Sequence, residues 1–241
     1  MAERAAIVTG ASSGIGLEIA RLLATEGYAV TLAARRPEKL EAATAGLAED
    51  GFDVQAVPGD LGVEDDVKRV VAAHRERYGR LDVLVNNAGV GIGAPVGELD
   101  TKRVDLQLAT NLRSVLLFYR ECHAMLAAAG AEHRRALVVN MASLAGKSGQ
   151  PWLSVYGATK AAIVNFSQAM NKELAAQAGI KSTALCPAFV DTAMTDFVKG
   201  QVKAEDMITT ADIAESVRFL LRLSPNCIVP EITFARPDEG L

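Results

Sequence analysis

Thr9-Gly10-Ala11-Ser12-Ser13-Gly14-Ile15-Gly16 is the stretch on which the reading of this chain turns. An apolar run over residues 5–9 leads into it. Ile15, Ile19, Leu22 and Leu23 follow at helical spacing. The segment is therefore a glycine-rich strand-to-helix turn. Without side chains, such a turn bends sharply and lets backbone N–H groups approach a pyrophosphate at the helix N-terminus. The order Gly-x-x-x-Gly-x-Gly differs from the common Gly-x-Gly-x-x-Gly, but the steric logic is the same. A glycine cluster also makes a plain tight turn. Its place at the first strand–helix junction is what favours a nucleotide.

Strand-like and helix-like segments alternate outward from this turn. Strands are expected over residues 5–9, 28–33, 52–57, 81–86, 137–142, 180–186 and 228–234, the last disturbed by Pro230. Helices are expected from Ile15 to Gly27, over 37–50 with Pro37 in the first turn, and from Glu64 with Val67, Val70, Val71 and His74 on one face. Longer helices are expected over 101–129 and 154–178, and a last one follows a capping start at Thr209 and Asp212. This rhythm predicts an α/β fold of Rossmann type, a doubly wound parallel sheet with helices on both faces. Without internal repeats or linkers, residues 1–241 read as a single dinucleotide-binding and catalytic domain. A long connection over about 187–209 reads as a substrate loop.

Composition narrows the class. The chain has 241 residues, 50% of them hydrophobic and 22% charged, which supplies a large core and excludes a mostly disordered chain. The net charge of −4 and the lack of a basic run argue against nucleic-acid binding. No apolar stretch reaches membrane-spanning length, and no signal peptide is evident, so a cytoplasmic protein is expected. Cys122, Cys186 and Cys227 are dispersed, as reduced thiols are, and with His74, His123 and His133 they form no metal-ligand pattern.

Further motifs follow the glycine turn in order. Asp60 and Leu61 come after the third strand. Asn86-Asn87-Ala88-Gly89 follows the fourth. Asn111, Ser143, Tyr156 and Lys160 come next, and Pro187-Ala188-Phe189-Val190-Asp191-Thr192 follows the sixth strand. Together they resemble the short-chain dehydrogenase/reductase family over essentially the whole chain. The resemblance implies a catalytic set of Asn111, Ser143, Tyr156 and Lys160. It implies cofactor contacts from Gly10, Ser12, Ser13, Gly14, Ile15, Gly16, Asp60, Leu61, Asn87, Ala88, Gly89, Tyr156, Lys160, Pro187, Val190 and Thr192. Asp60 would contact the adenine ring, Lys160 the nicotinamide ribose and Thr192 the carboxamide. Asn111 would hold a water linking Lys160 to solvent. Ala188 stands where the family usually has glycine.

The residues themselves carry the chemistry. At the end of the second strand, Ala33-Ala34-Arg35-Arg36 offers no carboxylate for a ribose 2′-hydroxyl. Arg35, with Arg36 beside it, presents a planar donor fork to a 2′-phosphate, so NADP(H) is preferred and NAD(H) remains open. Tyr156 and Lys160, four apart on a helix, share a face. Carbonyl reduction needs a hydride at carbon and a proton at oxygen. Tyr156 can donate that proton, Lys160 ammonium favours the phenolate, and Ser143 can stabilise the developing oxyanion.

The substrate is expected to be a small carbonyl compound or alcohol with an apolar part, walled by Leu144, Trp152, Phe189, Met194 and Phe197. The C-terminal segment 228–237 lacks the Gly-rich tail of many ketoacyl-carrier-protein reductases, which lowers that substrate class. The two long apolar helices and the resemblance favour a homo-oligomer, a dimer or a homotetramer. The alternative to an oxidoreductase is a non-catalytic NADP(H)-binding sensor on the same fold.

Overall fold

The computed structural model describes residues 2–200 and 202–237. Seven strands form one parallel sheet: β1 (Ala5–Thr9), β2 (Ala29–Ala34), β3 (Val54–Pro58), β4 (Val83–Asn86), β5 (Ala136–Met141), β6 (Ile180–Pro187) and β7 (Glu231–Phe234). They lie in the order β3-β2-β1-β4-β5-β6-β7. Strands β1, β2, β4, β5 and β6 are buried at every position, as continuous apolar runs between two helical layers should be. The edge strands β3 and β7 are only partly buried. The expected doubly wound α/β architecture is therefore the one observed.

Alternation along each strand builds two cores. Ala6 and Val8 of β1 face one layer, with α1 (Gly14–Thr25), α2 (Pro37–Glu49) and α7 (Thr210–Arg222) contributing Ile19, Leu23, Leu40, Leu47, Ile213 and Val217. Ile7 faces the other layer, where α3 (Glu64–Tyr78), α5 (Ser114–His133) and α6 (Ser154–Ala178) supply Val70, Phe118, Leu126 and Ile163. Burying one such side chain contributes on the order of 1.5–3 kcal/mol. Helix α7 starts as expected: Thr209 Oγ1 accepts from the Asp212 N–H at 3.2 Å, and Asp212 Oδ2 accepts from the Thr209 N–H at 2.9 Å.

Two expectations need correction. The helix expected over 101–129 is interrupted: α4 (Thr101–Gln107) passes into a π-helical turn over Leu108–Arg113 before α5 continues to His133. The wider turn admits one extra residue per repeat, a change that hydrophobic spacing does not reveal. Strand β7 begins at Glu231 rather than residue 228, because Pro230 has no N–H to give the ladder. No helix among the described residues is long and apolar enough to cross a membrane.

His74 on α3 is fully buried, its ring between Thr31 Oγ1 at 2.7 Å and the Arg80 carbonyl at 2.8 Å. Burial outweighs the Arg80 hydrogen bond and holds the imidazole down to about 4, against an ordinary value of 6.5. Above the ordinary value the ring is neutral folded or unfolded, and its contribution to stability is complete. As the pH falls from there to about 4, only the unfolded chain takes up the proton. Stability should then fall by up to about 1.4 kcal/mol per pH unit. Urea unfolding across this window should show the slope, and His74→Gln should remove the part due to one proton.

Candidate active site

The turn after β1 is stitched to the neighbouring strand ends. Gly10 and Ala11 N–H groups donate to the Ala33 carbonyl of β2 at 2.7 and 3.3 Å. Thr9 Oγ1 donates to the Val85 carbonyl at 3.2 Å and accepts from the N–H groups of Asn87 (2.9 Å) and Ala88 (3.0 Å). Asn87 Nδ2 donates back to the carbonyls of Thr9 (3.0 Å) and Gly10 (3.3 Å). Gly10 holds φ +66°, and a Cβ there would lie 2.9 Å from Ala88 Cα. A Cβ on Gly16 would lie 2.5 Å from the Gly10 carbonyl oxygen. These glycines are therefore required by close backbone approach.

Helix α1 opens out of this turn with Ser13 at its N-cap. The Ser13 side chain makes no capping bond, and the first turn carries no acidic residue. The positive end of the helix dipole and its N–H groups thus face a surface without carboxylates, beside half-buried Ser12 and Ile15. A bare glycine cradle at a helix N-terminus fits a dinucleotide's pyrophosphate. Arg35 and Arg36 are exposed at the end of β2. Asp60 is engaged locally: its Oδ1 accepts from the Gly62 N–H at 3.0 Å, and its own N–H donates to Asp66 at 2.7 Å. Leu61 beside it is buried.

Ser143, Tyr156, Lys160 and Asn111 converge at the C-terminal ends of β4, β5 and β6. Ser143 follows β5, and its hydroxyl lies 3.4 Å from the Pro187 carbonyl, to which it donates. It also stands near enough to the Tyr156 phenol to lower its pKa. Tyr156 and Lys160 lie one turn apart on α6, with Lys160 Nζ 5.6 Å from the phenol ring centroid. Asn111 sits in the π-helical turn and is 1% exposed. Its Nδ2 donates to the Val90 carbonyl at 2.9 Å and to Thr159 Oγ1 at 3.2 Å, while its Oδ1 accepts from the Val90 N–H at 2.7 Å. Gly89 lies beside this group: a Cβ there would lie 3.3 Å from Asn111 Oδ1 and 3.5 Å from Lys160 Nζ.

Burial acts on both members of the Tyr156–Lys160 pair. Burial raises the phenol above its ordinary value, and the Ser143 hydrogen bond only partly offsets this. The Lys160 ammonium is itself buried and donates to the Met141 carbonyl at 2.6 Å. Burial brings it down to about 8. Desolvation thus acts on both groups against their charged forms. In this arrangement the phenol keeps its proton at neutral pH.

The segment after β6 closes the group from the side. Val190 is buried and bridges to Ile208. Thr192 lies over the glycine turn, its Cγ2 3.2 Å from the place of a Cβ on Gly14. Ala188, in place of glycine, keeps a negative φ and donates its N–H to Phe234 at 2.9 Å, so the replacement is accommodated. Within the expected loop the chain forms short 3₁₀ turns over Ala193–Val198 and Ala204–Asp206.

The expected substrate walls separate into two groups. Met194 and Tyr156 both approach Gly91, each 3.9 Å from the place of its Cβ, so Met194 stands beside the phenol. Leu144 is half-buried in the turn after Ser143. Trp152 (69% exposed) and Phe197 (68%) present large apolar surface. Trp152 also holds φ +67°, a costly conformation for a bulky residue, while its carbonyl accepts from the Ala94 N–H at 2.8 Å. Phe189 instead lies under the Arg236 guanidinium, 5.8 Å from its ring centroid. Sequence reading placed no arginine there and gave no role to Thr9, Thr159 or the Met141 carbonyl. No spacing motif marks these groups, because their partners lie on other strands.

Comparison with known proteins places the family and agrees with the fold. A short chain dehydrogenase family model matches residues 4–203, and the chain belongs to that family. It is 41% identical over 197 residues to the monensin polyketide synthase ketoacyl reductase of Streptomyces virginiae, covering 81% of this chain and 74% of the relative. It is 31% identical over 233 residues to an uncharacterized oxidoreductase of Staphylococcus aureus, covering 97% of each. Among solved structures, an alcohol dehydrogenase from Thermococcus sibiricus complexed with 5-hydroxy-NADP superposes with TM-score 0.88 at 29% identity, covering 99% of this chain and 98% of that one. A variant of actinorhodin polyketide ketoreductase with NADPH gives 0.86 at 33% identity, covering 97% of each chain.

Asn111→Ala should leave the Val90 N–H and carbonyl without partners and cost about 1–3 kcal/mol in urea unfolding. Faster hydrogen exchange at residues 90–93 should accompany the loss in the alanine variant.

Proposed function

We propose that this enzyme transfers a hydride between NADP(H) and a carbonyl compound or secondary alcohol, with Tyr156 as general acid and base. The observation that carries the proposal is the meeting of Ser143, Tyr156 and Lys160 beside the glycine cradle. When bound, the nicotinamide supplies or accepts the hydride. The chain's own residues handle the oxygen and its proton. Ser143 orients the substrate oxygen, and Tyr156 holds a proton within reach of it. Lys160, anchored on Met141, reaches the ribose side of the site, and Asn111 holds the Val90 loop against it.

Arg35 and Arg36 support NADP(H), with NAD(H) as a weaker substitute, since residues 33–36 at the end of β2 offer donors to a 2′-phosphate and no carboxylate to a 2′-hydroxyl. Relatives named as ketoacyl reductases make β-ketoacyl compounds the first carbonyl substrates to test. Trp152, Met194 and Phe197 favour an apolar substrate portion. The three cysteines are free, in keeping with a reducing cytoplasm. The two long helices α5 and α6, together with the family, support assembly into a dimer or tetramer.

Tyr156→Phe should lower kcat at least about 1,000-fold, as loss of a proton-transfer group does, while NADPH affinity stays within about two-fold. Because burial raises the phenol, ketone reduction should hold steady at neutral pH and fall only in alkali, where the proton is lost. Alcohol oxidation should instead rise with pH, because it needs the phenolate. Turnover that survives in the phenylalanine variant refutes the role.

Arg35→Ala should weaken NADPH binding by about 10–100-fold, the loss of one charge-assisted contact of about 1.5–3 kcal/mol. NADH binding should change little. Equal losses for both cofactors in fluorescence titrations would refute the NADP(H) preference. Tight NADPH binding without turnover on any carbonyl or alcohol would favour a sensor.

A further inference from the structure

Two glycines outside the cofactor turn lie on opposite sides of one contact. Gly146 ends the short 3₁₀ turn Leu144–Gly146 that follows Ser143, and its N–H donates to the Ser143 carbonyl at 2.9 Å. A Cβ on Gly146 would lie 2.7 Å from both Lys160 C and Ala161 N. Gly157, next to Tyr156 on α6, faces the same turn from the helix side. A Cβ on it would lie 2.7 Å from the Ala145 carbonyl oxygen. Neither glycine has a positive φ. Their conformations suit any residue, so only the close approach of the two backbones requires them.

That approach sets the site. The Ser143 hydroxyl accepts from the Ala145 N–H at 3.2 Å, which ties it to the turn that rests on Gly157. The phenol beside Ser143 belongs to the residue before Gly157, and Lys160 is the residue under Gly146. The neighbours of both glycines are backbone atoms, which cannot rotate away as a side chain can. A methyl group at either position must therefore push the turn off the helix by roughly half an ångström or more, which reaches the limit that a catalytic geometry tolerates.

We propose that Gly146 and Gly157 are positioning residues: the backbone contact they permit sets the distance between the Ser143 hydroxyl, the Tyr156 phenol and Lys160. The proposal rests on the reductase reading above. It separates two functions along one contact. Gly157 governs the Ser143–Tyr156 distance, and Gly146 governs Lys160 and the cofactor side.

Gly157→Ala tests this most directly, since alanine favours the helix and the fold need not suffer. Its Tm should fall by no more than a few degrees, because helix propensity offsets part of the cost of moving the turn, and its NADPH affinity should stay within about two-fold, while kcat falls at least about 10-fold. The Ser143 bond lowers the phenol's pKa, so weakening it should move the rising limb of alcohol oxidation to higher pH. In a Ser143→Ala background the same substitution should cost less than about two-fold, because the group it displaces is already gone. Gly146→Ala should lower kcat and also raise the KM for NADPH. Gly46→Ala, on α2 with nothing within 4 Å of its Cβ, is the control and should leave kcat unchanged.

An unchanged kcat in Gly157→Ala overturns the proposal, as does full additivity with Ser143→Ala. So does a collapse of Tm in both glycine variants, because the glycines would then serve the fold rather than the site. A wild-type enzyme without turnover refutes the reductase reading, and positioning is then decided by crystal structures. A Ser143 turn displaced from α6 in Gly157→Ala supports it, and an undisplaced turn overturns it.

Discussion

Thr9 and Asn87 exchange hydrogen bonds across the ends of β1 and β4, and the rest of the site is built against that exchange. At the end of a parallel strand the backbone leaves the ladder while still buried, and each N–H and carbonyl there needs a new partner. The Thr9 hydroxyl takes two of the donors, and the Asn87 amide covers two of the acceptors. With these satisfied, the chain can turn within one residue and start α1 directly over the sheet. The absence of side chains at Gly10 and Gly16 is a consequence of this closeness. The open helix terminus that faces the cleft follows from it too.

The same economy governs the proton-transfer group. The turn after β5 and helix α6 bring Ser143, Tyr156 and Lys160 together in a place from which water is partly excluded, with Lys160 buried and Ser143 and Tyr156 half-buried. Exclusion strengthens every hydrogen bond there, and it also penalises every charge. The Lys160 ammonium answers with a bond to the Met141 carbonyl, and the phenol remains protonated beside Ser143. Such a site holds its proton ready for a substrate oxygen. The contact of Gly146 and Gly157 brings the pieces close enough for this without a side chain between them.

Much of this was legible in the sequence. The strands that lie between two helical layers are rich in apolar residues, with few polar interruptions outside β6, and six of the seven were placed within two residues of their observed limits. Thr209 and Asp212 mark the start of α7 through a local hydrogen-bond pattern that any helix with those residues can form. The pair Tyr156 and Lys160 needed only helical periodicity to be placed on one face. The π-helical turn around Asn111 was not legible, because residue type does not report a shift of hydrogen-bond partner by one position. The Arg236 guanidinium, just beyond β7, lies over the Phe189 ring, a pairing between remote segments that spacing does not reveal.

By itself, then, the sequence determined what local chemistry can determine: the alternation of strands and helices, the glycine turn, the absence of an acid at the end of β2, and the residue types available for proton transfer. Tertiary structure decided the quantities that depend on distance between remote segments. It made Met141, not Tyr156, the hydrogen-bond partner of Lys160. It set the phenol's proton affinity through burial. It also turned two ordinary glycines into the contact surface between a catalytic turn and a catalytic helix. Periodicity and residue type act over a few neighbours, whereas desolvation and close packing arise only when β4, β5, β6 and α6 meet.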